Sequence, residues 1–346
     1  MAAHMQSPDD YLRQIEEEEN RRKLQSAGSS PWRWVKRFFL ALLAIIILSA
    51  IALGWFGIHT LRGVSSKPFD PAGLSADNNG RTNVLILGKG DPGHAGQELS
   101  DSIMVVSFNK TTKQVATISI PRDTEANIPG YGYRKINNAN ALGGSELATQ
   151  TVSEFLDLPI DYTVVTNFSG LSKLVDAVGG IDVDVKEALI DNEYPCADNE
   201  YRSCGINIQP GVQRMDGARA LEYTRCRKGT CGNDFGRAAR QQEVIALLMA
   251  KLVQPRVWLN PVSAAAVSNA LRTGMDTNIS GPNMARLAWM WSQKTGEPIR
   301  WVLSTAPGGM LTSGANGNLV PVGRSYRAIQ EQAATIFTNP PEQDKL

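Results

Sequence analysis

The residues best suited to chemistry in this 346-residue chain are arginines placed where apolar segments end. Ser119-Ile120-Pro121 closes a β-rich run and hands over Arg122 and Asp123. Leu221-Glu222-Tyr223-Thr224 leads into Arg225-Cys226-Arg227, whose two arginines share one face if that stretch is extended. The stretch Asn233-Asp234-Phe235-Gly236 then opens a helical pattern, with Asp234 as N-cap and Arg237 and Arg240 one turn apart on one side. A guanidinium keeps its charge and offers paired, planar donors that match phosphate oxygens. Five arginines converging at a helix N-terminus point to a phosphoryl ligand. The competing reading is a solvated helix face held by surface ion pairs. Asp101, ahead of an apolar strand, and Asp234 shift the balance. Two carboxylates beside a substrate phosphate are the donor set that Mg²⁺ takes.

Other chemistries fit poorly. There is no G-x-S-x-G elbow, and the three histidines (His4, His59, His94) are too few for a convincing Ser–His–Asp set. Gly88-Lys89-Gly90-Asp91-Pro92-Gly93 matches G-x-G-x-x-G. Pro92 removes a backbone donor there, and the next element reads as a strand, so the motif is better taken as a Gly-rich loop than as a dinucleotide fingerprint. Lys and Arg number 35 against 34 acids, which gives no global attraction for nucleic acid. Cys196, Cys204, Cys226 and Cys231 form no C-x-x-C pair, which argues against structural zinc. Four cysteines permit three pairings. Local disulfides Cys196–Cys204 and Cys226–Cys231 suit an oxidising compartment, with free space-filling thiols as the alternative.

The elements that must position these groups follow from apolar patterning. Residues 1–37 are polar and carry four consecutive acids at 16–19 followed by basic residues, the pattern of a largely disordered tail. Residues 38–58 form an apolar run interrupted by one serine, Ser49; at ~1.5 Å per residue a helix of that length spans a bilayer core. Trp32, Trp34 and Trp55 flank it, and Arg33, Lys36 and Arg37 abut its N-terminal end. The positive-inside rule then places the tail in the cytoplasm and all that follows outside. Residues 59–80 read as a linker, 81–338 as one α/β domain and 339–346 as a frayed tail. Within the domain, strands are predicted at 83–87, 102–108, 115–120, 162–167, 181–185 and 300–303. Helices are predicted at 144–156, 171–178, 237–252, 262–272, 283–294 and 326–337. The alternation predicts a layered α-β-α domain around a mixed sheet.

Taken together, Ser100-Asp101-Ser102-Ile103-Met104, Ser119-Ile120-Pro121-Arg122-Asp123, Lys135-Ile136-Asn137, Leu174-Val175-Asp176-Ala177-Val178-Gly179-Gly180 and Asp216-Gly217-Ala218-Arg219-Ala220-Leu221, in this order with the arginine segments, resemble the LytR–CpsA–Psr family. The resemblance implies a single-pass membrane protein. Its outside domain would move a glycopolymer from a polyprenyl-pyrophosphate carrier to peptidoglycan through a phosphodiester, with the lipid tail in an apolar tunnel. It assigns Asp101 and Asp234 to Mg²⁺. Arg122, Arg225, Arg227, Arg237 and Arg240 become the pyrophosphate clamp, Gln241 and Lys135 match further family positions, and Asp101 or Asp123 would take the acceptor proton. One departure stands out: many members carry arginine just ahead of Ser-Asp, where this chain has Leu99, leaving Lys89 or His94 as substitutes. A membrane-bound regulator and a non-catalytic polyprenyl-phosphate binder are the alternatives. The segment 187–211 has no assigned role beyond an edge hairpin.

Overall fold

The computed structural model describes residues 80–93, 96–196 and 202–341, together with residues 13, 16–19 and 21. Met1–Gly57 and Ile58–Leu346 are separate compact units. In the first, the described residues are helical, with Arg21 3.9 Å from Glu17. The apolar run at 38–58, the linker residues 59–79 and His94 lie outside the described residues. Among the described residues, no helix is long and apolar enough to cross a membrane.

In the second unit, β1 (Arg81–Lys89) is buried along most of its length, through polar Arg81, Thr82 and Asn83 as well as the apolar run Val84–Leu87 at the centre of a sheet. It pairs antiparallel with β2 (Ser100–Asn109), which pairs antiparallel with β3 (Val115–Ser119). The hairpin β4 (Glu125–Ile128) and β5 (Gly132–Lys135) leads to helix α1 (Asn138–Leu156). Strand β6 (Tyr162–Asn167) returns parallel to β1 and runs into α2 (Phe168–Ala177). A small sheet follows from β7 (Ile181–Val185), and a hairpin from β8 (Leu189–Asp191) and β9 (Ile206–Ile208). Strand β10 (Gly211–Met215) pairs with β7 and leads into α3 (Gly217–Arg225) and α4 (Asp234–Leu252). Next come α5 (Pro255–Leu259), α6 (Pro261–Gly274), β11 (Met275–Thr277) and α7 (Gly281–Ser292). Strand β12 (Ile299–Val302), the hairpin of β13 (Leu311–Ser313) and β14 (Leu319–Pro321), and α8 (Arg327–Thr335) complete the fold.

The central sheet runs β11-β6-β1-β2-β3-β12 and mixes parallel and antiparallel neighbours. Strand alternation gives it two apolar faces. Leu85, Leu87, Ile103, Val105 and Ile118 pack with Val152 and Phe155 of α1 and Ile329 of α8. Val84, Met104, Val106 and Phe108 pack with Leu287 and Trp291 of α7. Helices therefore cover both faces of the sheet, and the strand ends at Lys89, Ser119 and Asn167 gather on one edge of the molecule.

Two expectations change. Residues 217–225 are helical rather than extended, because Asp216 caps them through Arg219 N at 2.8 Å. Arg225 thus ends α3 while Arg227 lies in the following strap, and they do not share a strand face. The N-cap of α4 is Asn233, whose side chain accepts from Phe235 N and Gly236 N, with Asp234 as the first helical residue. Within 187–211 the expected hairpin forms from β8 and β9, and the unforeseen part is that Asp191 at the end of β8 accepts from the Lys228 amide beside Arg227.

Candidate active site

Asp101 owes its position to a break in the ladder. Gly88 faces Ser102 and Lys89 faces Ser100, so Asp101 is the extra residue of a bulge. Bulges of this kind re-aim a side chain beside a site. Its carboxylate takes a 2.5 Å hydrogen bond from Arg122 Nη1, delivered by the turn after β3. Arg122 Nε lies 3.8 Å from Asp123, and Lys135 Nζ on β5 donates to Asp123 at 2.8 Å. From the other side, α4 brings Asp234 with Arg237 Nη1 at 3.2 Å and Arg227 Nε at 3.8 Å. Asp101, Arg122, Asp123, Lys135, Arg227, Asp234 and Arg237 thus form one charged cluster drawn from β2, the turn after β3, β5, the strap and α4.

The electrostatics of the cluster are unbalanced. Arg237 is 8% exposed. Burial is the chief cause of its lowered pKa; the positive charges of Arg122 and Arg227 add to it, against the pull of Asp234 and Asp101. Burial also opposes the charge on Arg122, yet the hydrogen bond and charge of Asp101, with Asp123 and Asp234, raise its pKa overall. Several buried polar atoms lack a hydrogen-bond partner here: Ser100 Oγ, Arg122 Nε and Asp234 Oδ1. Groups of this kind pay a desolvation cost unless something pairs with them. An anion carrying several oxygens would satisfy the arginines, and a hard cation would satisfy Asp234.

Arg240, Gln241 and Arg225, the rest of the expected set, make contacts within the protein. Arg240 turns its whole guanidinium onto backbone carbonyls: Nε to Tyr223 at 2.9 Å, Nη1 to Cys231 at 2.9 Å, and Nη2 to Cys226. It clamps the loop between α3 and α4, and burial lowers its pKa. Gln241 Nε2 reaches Thr224 O at 3.5 Å. The Arg225 guanidinium lies over Phe168 at 4.2 Å and near Tyr194 at 5.7 Å. The amides at the start of α4 are taken by Asn233, so anion binding falls to side chains rather than to the helix N-terminus.

The strap that carries Arg227 is tied down on every side. Disulfides join Cys226 to Cys231 and Cys196 to Cys204. Asp191, 2% exposed at the end of β8, accepts from the amides of Lys228 (3.1 Å), Arg227 (3.4 Å) and Glu193 (3.0 Å). Thr230 donates to Ala188 O and accepts from Ile190 N. Gly229 has φ +62°, and a Cβ there would collide with the Ile190 carbonyl. Among the described residues, the one group of three metal-ligand side chains is Asp191 with Cys226 and Cys231, and its sulfurs are bonded to each other.

Lys89, a candidate substitute for the missing arginine, lies 3.1 Å from Glu98. The Gly-rich loop is fastened by Asp91, which accepts from Ser169 N and Oγ at the start of α2.

The LytR_cpsA_psr family model matches residues 60–334. The chain belongs to the LytR_cpsA_psr family. It is 35% identical to the "Regulatory protein MsrR" of Staphylococcus aureus (strain COL) over 204 residues, 58% of each chain, so it spans less than two thirds of that relative. It is 32% identical over 266 residues to the polyisoprenyl-teichoic acid–peptidoglycan teichoic acid transferase TagU of Enterococcus faecalis, covering 73% of this chain and 82% of TagU. Its fold resembles the solved structure of TagT bound to LI-WTA, with a TM-score of 0.58 at 28% identity, over 79% of this chain and 93% of TagT.

For a family member, two residues were missed by sequence reasoning. Asp191 sits in a segment without helical or strand periodicity, and its one signal is an acid following the apolar pair Leu189-Ile190. Gln242, 1% exposed, donates to Ser119 Oγ (2.9 Å) and Trp301 O (3.0 Å), pinning α4 to the sheet behind Arg122. Its neighbour Gln241 drew the attention instead.

Proposed function

We propose that this protein transfers a teichoic-acid-type glycopolymer from a polyprenyl-pyrophosphate carrier to a hydroxyl of peptidoglycan, forming a phosphodiester. One observation carries the reading. A buried guanidinium, Arg237, is crowded by two other arginines in a cluster that leaves Ser100 Oγ and Arg122 Nε buried without hydrogen-bond partners. A diphosphate is the ligand whose charge and oxygen count answer that arrangement. The relatives support the same direction: one is a teichoic acid transferase by name, and another was solved with LI-WTA bound.

Arg122, Arg227 and Arg237 hold the pyrophosphate and spread the charge that builds up during transfer. The acceptor oxygen attacks the phosphorus bearing the glycopolymer. Its bond to the polyprenyl phosphate oxygen breaks, and polyprenyl phosphate leaves with the electron pair. The hydroxyl proton passes to a carboxylate, Asp101 or Asp123. Lys135 holds Asp123 in place. Asp101 and Asp234 fit Mg²⁺: both are hard oxygen ligands in the arginine cluster, and Asp234 Oδ1 is held there by ion pairs to Arg237 and Arg227. When bound there, Mg²⁺ would supply charge neutralisation at phosphate oxygens.

The seam between the sheet and α4 suits the polyprenyl tail. Ile86 and Val164 on the sheet and Ile245, Ala246 and Met249 on α4 are apolar yet only partly buried. The apolar run at 38–58 would anchor the chain, with this domain outside the cell.

The test is incubation of the purified full chain with Mg²⁺, a polyprenyl-pyrophosphate glycan and peptidoglycan fragments. Release of polyprenyl phosphate with glycan on the acceptor is the expected result. Replacing Arg237 by Ala should lower the rate about a hundredfold, on the scale of a lost oxyanion donor. Tight retention of the lipid with no release would make the protein a carrier instead and overturn the proposal.

A further inference from the structure

We infer that the end of the sheet remote from the arginines is a docking face for a bilayer rich in anionic phospholipid. Asp101 and Phe108 stand near opposite ends of β2, about 23 Å apart at ~3.3 Å per residue. At the Phe108 end lies a cavity of about 460 Å³ walled by Phe108, Val115, Met290 and Trp289. That volume falls within the ~300–1,000 Å³ of small-ligand sites, and it suits part of an acyl chain. Trp289 is 64% exposed, an unusual state for so large a ring outside an interface.

The rim is basic. Lys113 and Arg286 line the same cavity with Lys110, and among the described residues no carboxylate does. Arg286 uses one nitrogen on Asn283 at 3.0 Å and is otherwise surface-exposed. An apolar hollow with an exposed tryptophan and three cations matches a headgroup boundary, where aromatic rings sit at the interface and basic side chains meet anionic lipid.

The carbonyl of Gly80, just ahead of β1, accepts from Lys110 N at 3.0 Å. The chain therefore enters the domain beside the basic rim, and only residues 59–79 separate that point from the apolar run at 38–58. The inference rests on the membrane anchor proposed above and is independent of the transfer chemistry, since Lys110, Arg286 and Trp289 touch no group of the arginine cluster.

The full chain would be reconstituted into nanodiscs of phosphatidylcholine alone or with about one third phosphatidylglycerol, without any glycan donor, and amide hydrogen exchange followed. Residues 108–115 and 286–293 should exchange about fivefold or more slowly in the anionic discs, the scale of one cation's attraction to an anionic surface. The difference should vanish in Arg286→Glu combined with Trp289→Ser, and shrink at high salt. Equal exchange in the two discs would overturn the docking face while leaving the transferase reading untouched. A chain that does not enter discs at all would refute the anchor and this inference together.

Discussion

Arg240 and Arg237 stand one turn apart on α4, yet the structure gives them different work, and replacing each by Ala should separate the two. Arg240 donates to the carbonyls of Tyr223, Cys226 and Cys231. Hydrogen bonds from a charged donor are worth roughly 1.5–3 kcal/mol each when a buried acceptor is otherwise left unmade. The three bonds share one guanidinium and do not add in full, so Arg240→Ala should cost about 3 kcal/mol in all. At ~2–4 °C per kcal/mol for a domain of this size, the midpoint of melting falls by about 6–12 °C. Lys should not rescue it, because one ammonium cannot span three carbonyls. Arg237→Ala removes a desolvated charge repelled by Arg122 and Arg227, so its melting point should move by less than ~2 °C while transfer falls about a hundredfold. Differential scanning calorimetry with the transfer assay reads both quantities. An Arg240→Ala protein that melts like the parent but has lost transfer would place Arg240 on the substrate and refute the division.

Asp191→Asn keeps the side chain's shape but weakens the hold on the amides of Arg227 and Lys228; kcat/KM for the lipid donor should fall ~10- to 100-fold, as when a reacting group shifts by an ångström, with little change in melting. Burial and the hydrogen bond to Glu243 hold the Tyr223 pKa well above its ordinary 10.0. Its stabilising contribution is therefore complete below pH ~10 and declines as pH rises beyond it, so Tyr223→Phe should flatten the alkaline limb of a stability–pH curve. If Asp234 holds Mg²⁺, chelation should stop transfer, and Asp234→Asn should raise the Mg²⁺ needed for half-maximal rate by about tenfold or more in a titration.

Much of the core was legible because its strands carry apolar runs, as in Val84–Leu87 of β1, or alternate apolar with polar residues, as in β7. Residues 162–167 and 181–185 match β6 and β7 residue for residue. Helix α1 begins earlier than expected, at Asn138, because Gly143 and Gly144 break its geometry without ending it. Arg122, Arg227 and Arg237 do meet, as residue types and spacing suggested, but sequence could not show that Arg240 spends its donors on backbone carbonyls. Nor could it show the bulge at Asp101, which depends on strand register, or the reach of Asp191 into the strap, which depends on the β8–β9 hairpin folding back. Local patterns determine elements, whereas these contacts are set by how distant elements pack.

The central claim is that Arg122, Arg227 and Arg237 grip a lipid-borne diphosphate. A structure of the protein with a short polyprenyl diphosphate and Mg²⁺ tests it most directly. The account predicts phosphate oxygens within hydrogen-bond distance of those three guanidinium groups and the tail along the seam beside Ile245 and Met249. A diphosphate bound elsewhere, with the three arginines still facing only Asp101, Asp123 and Asp234, would contradict it.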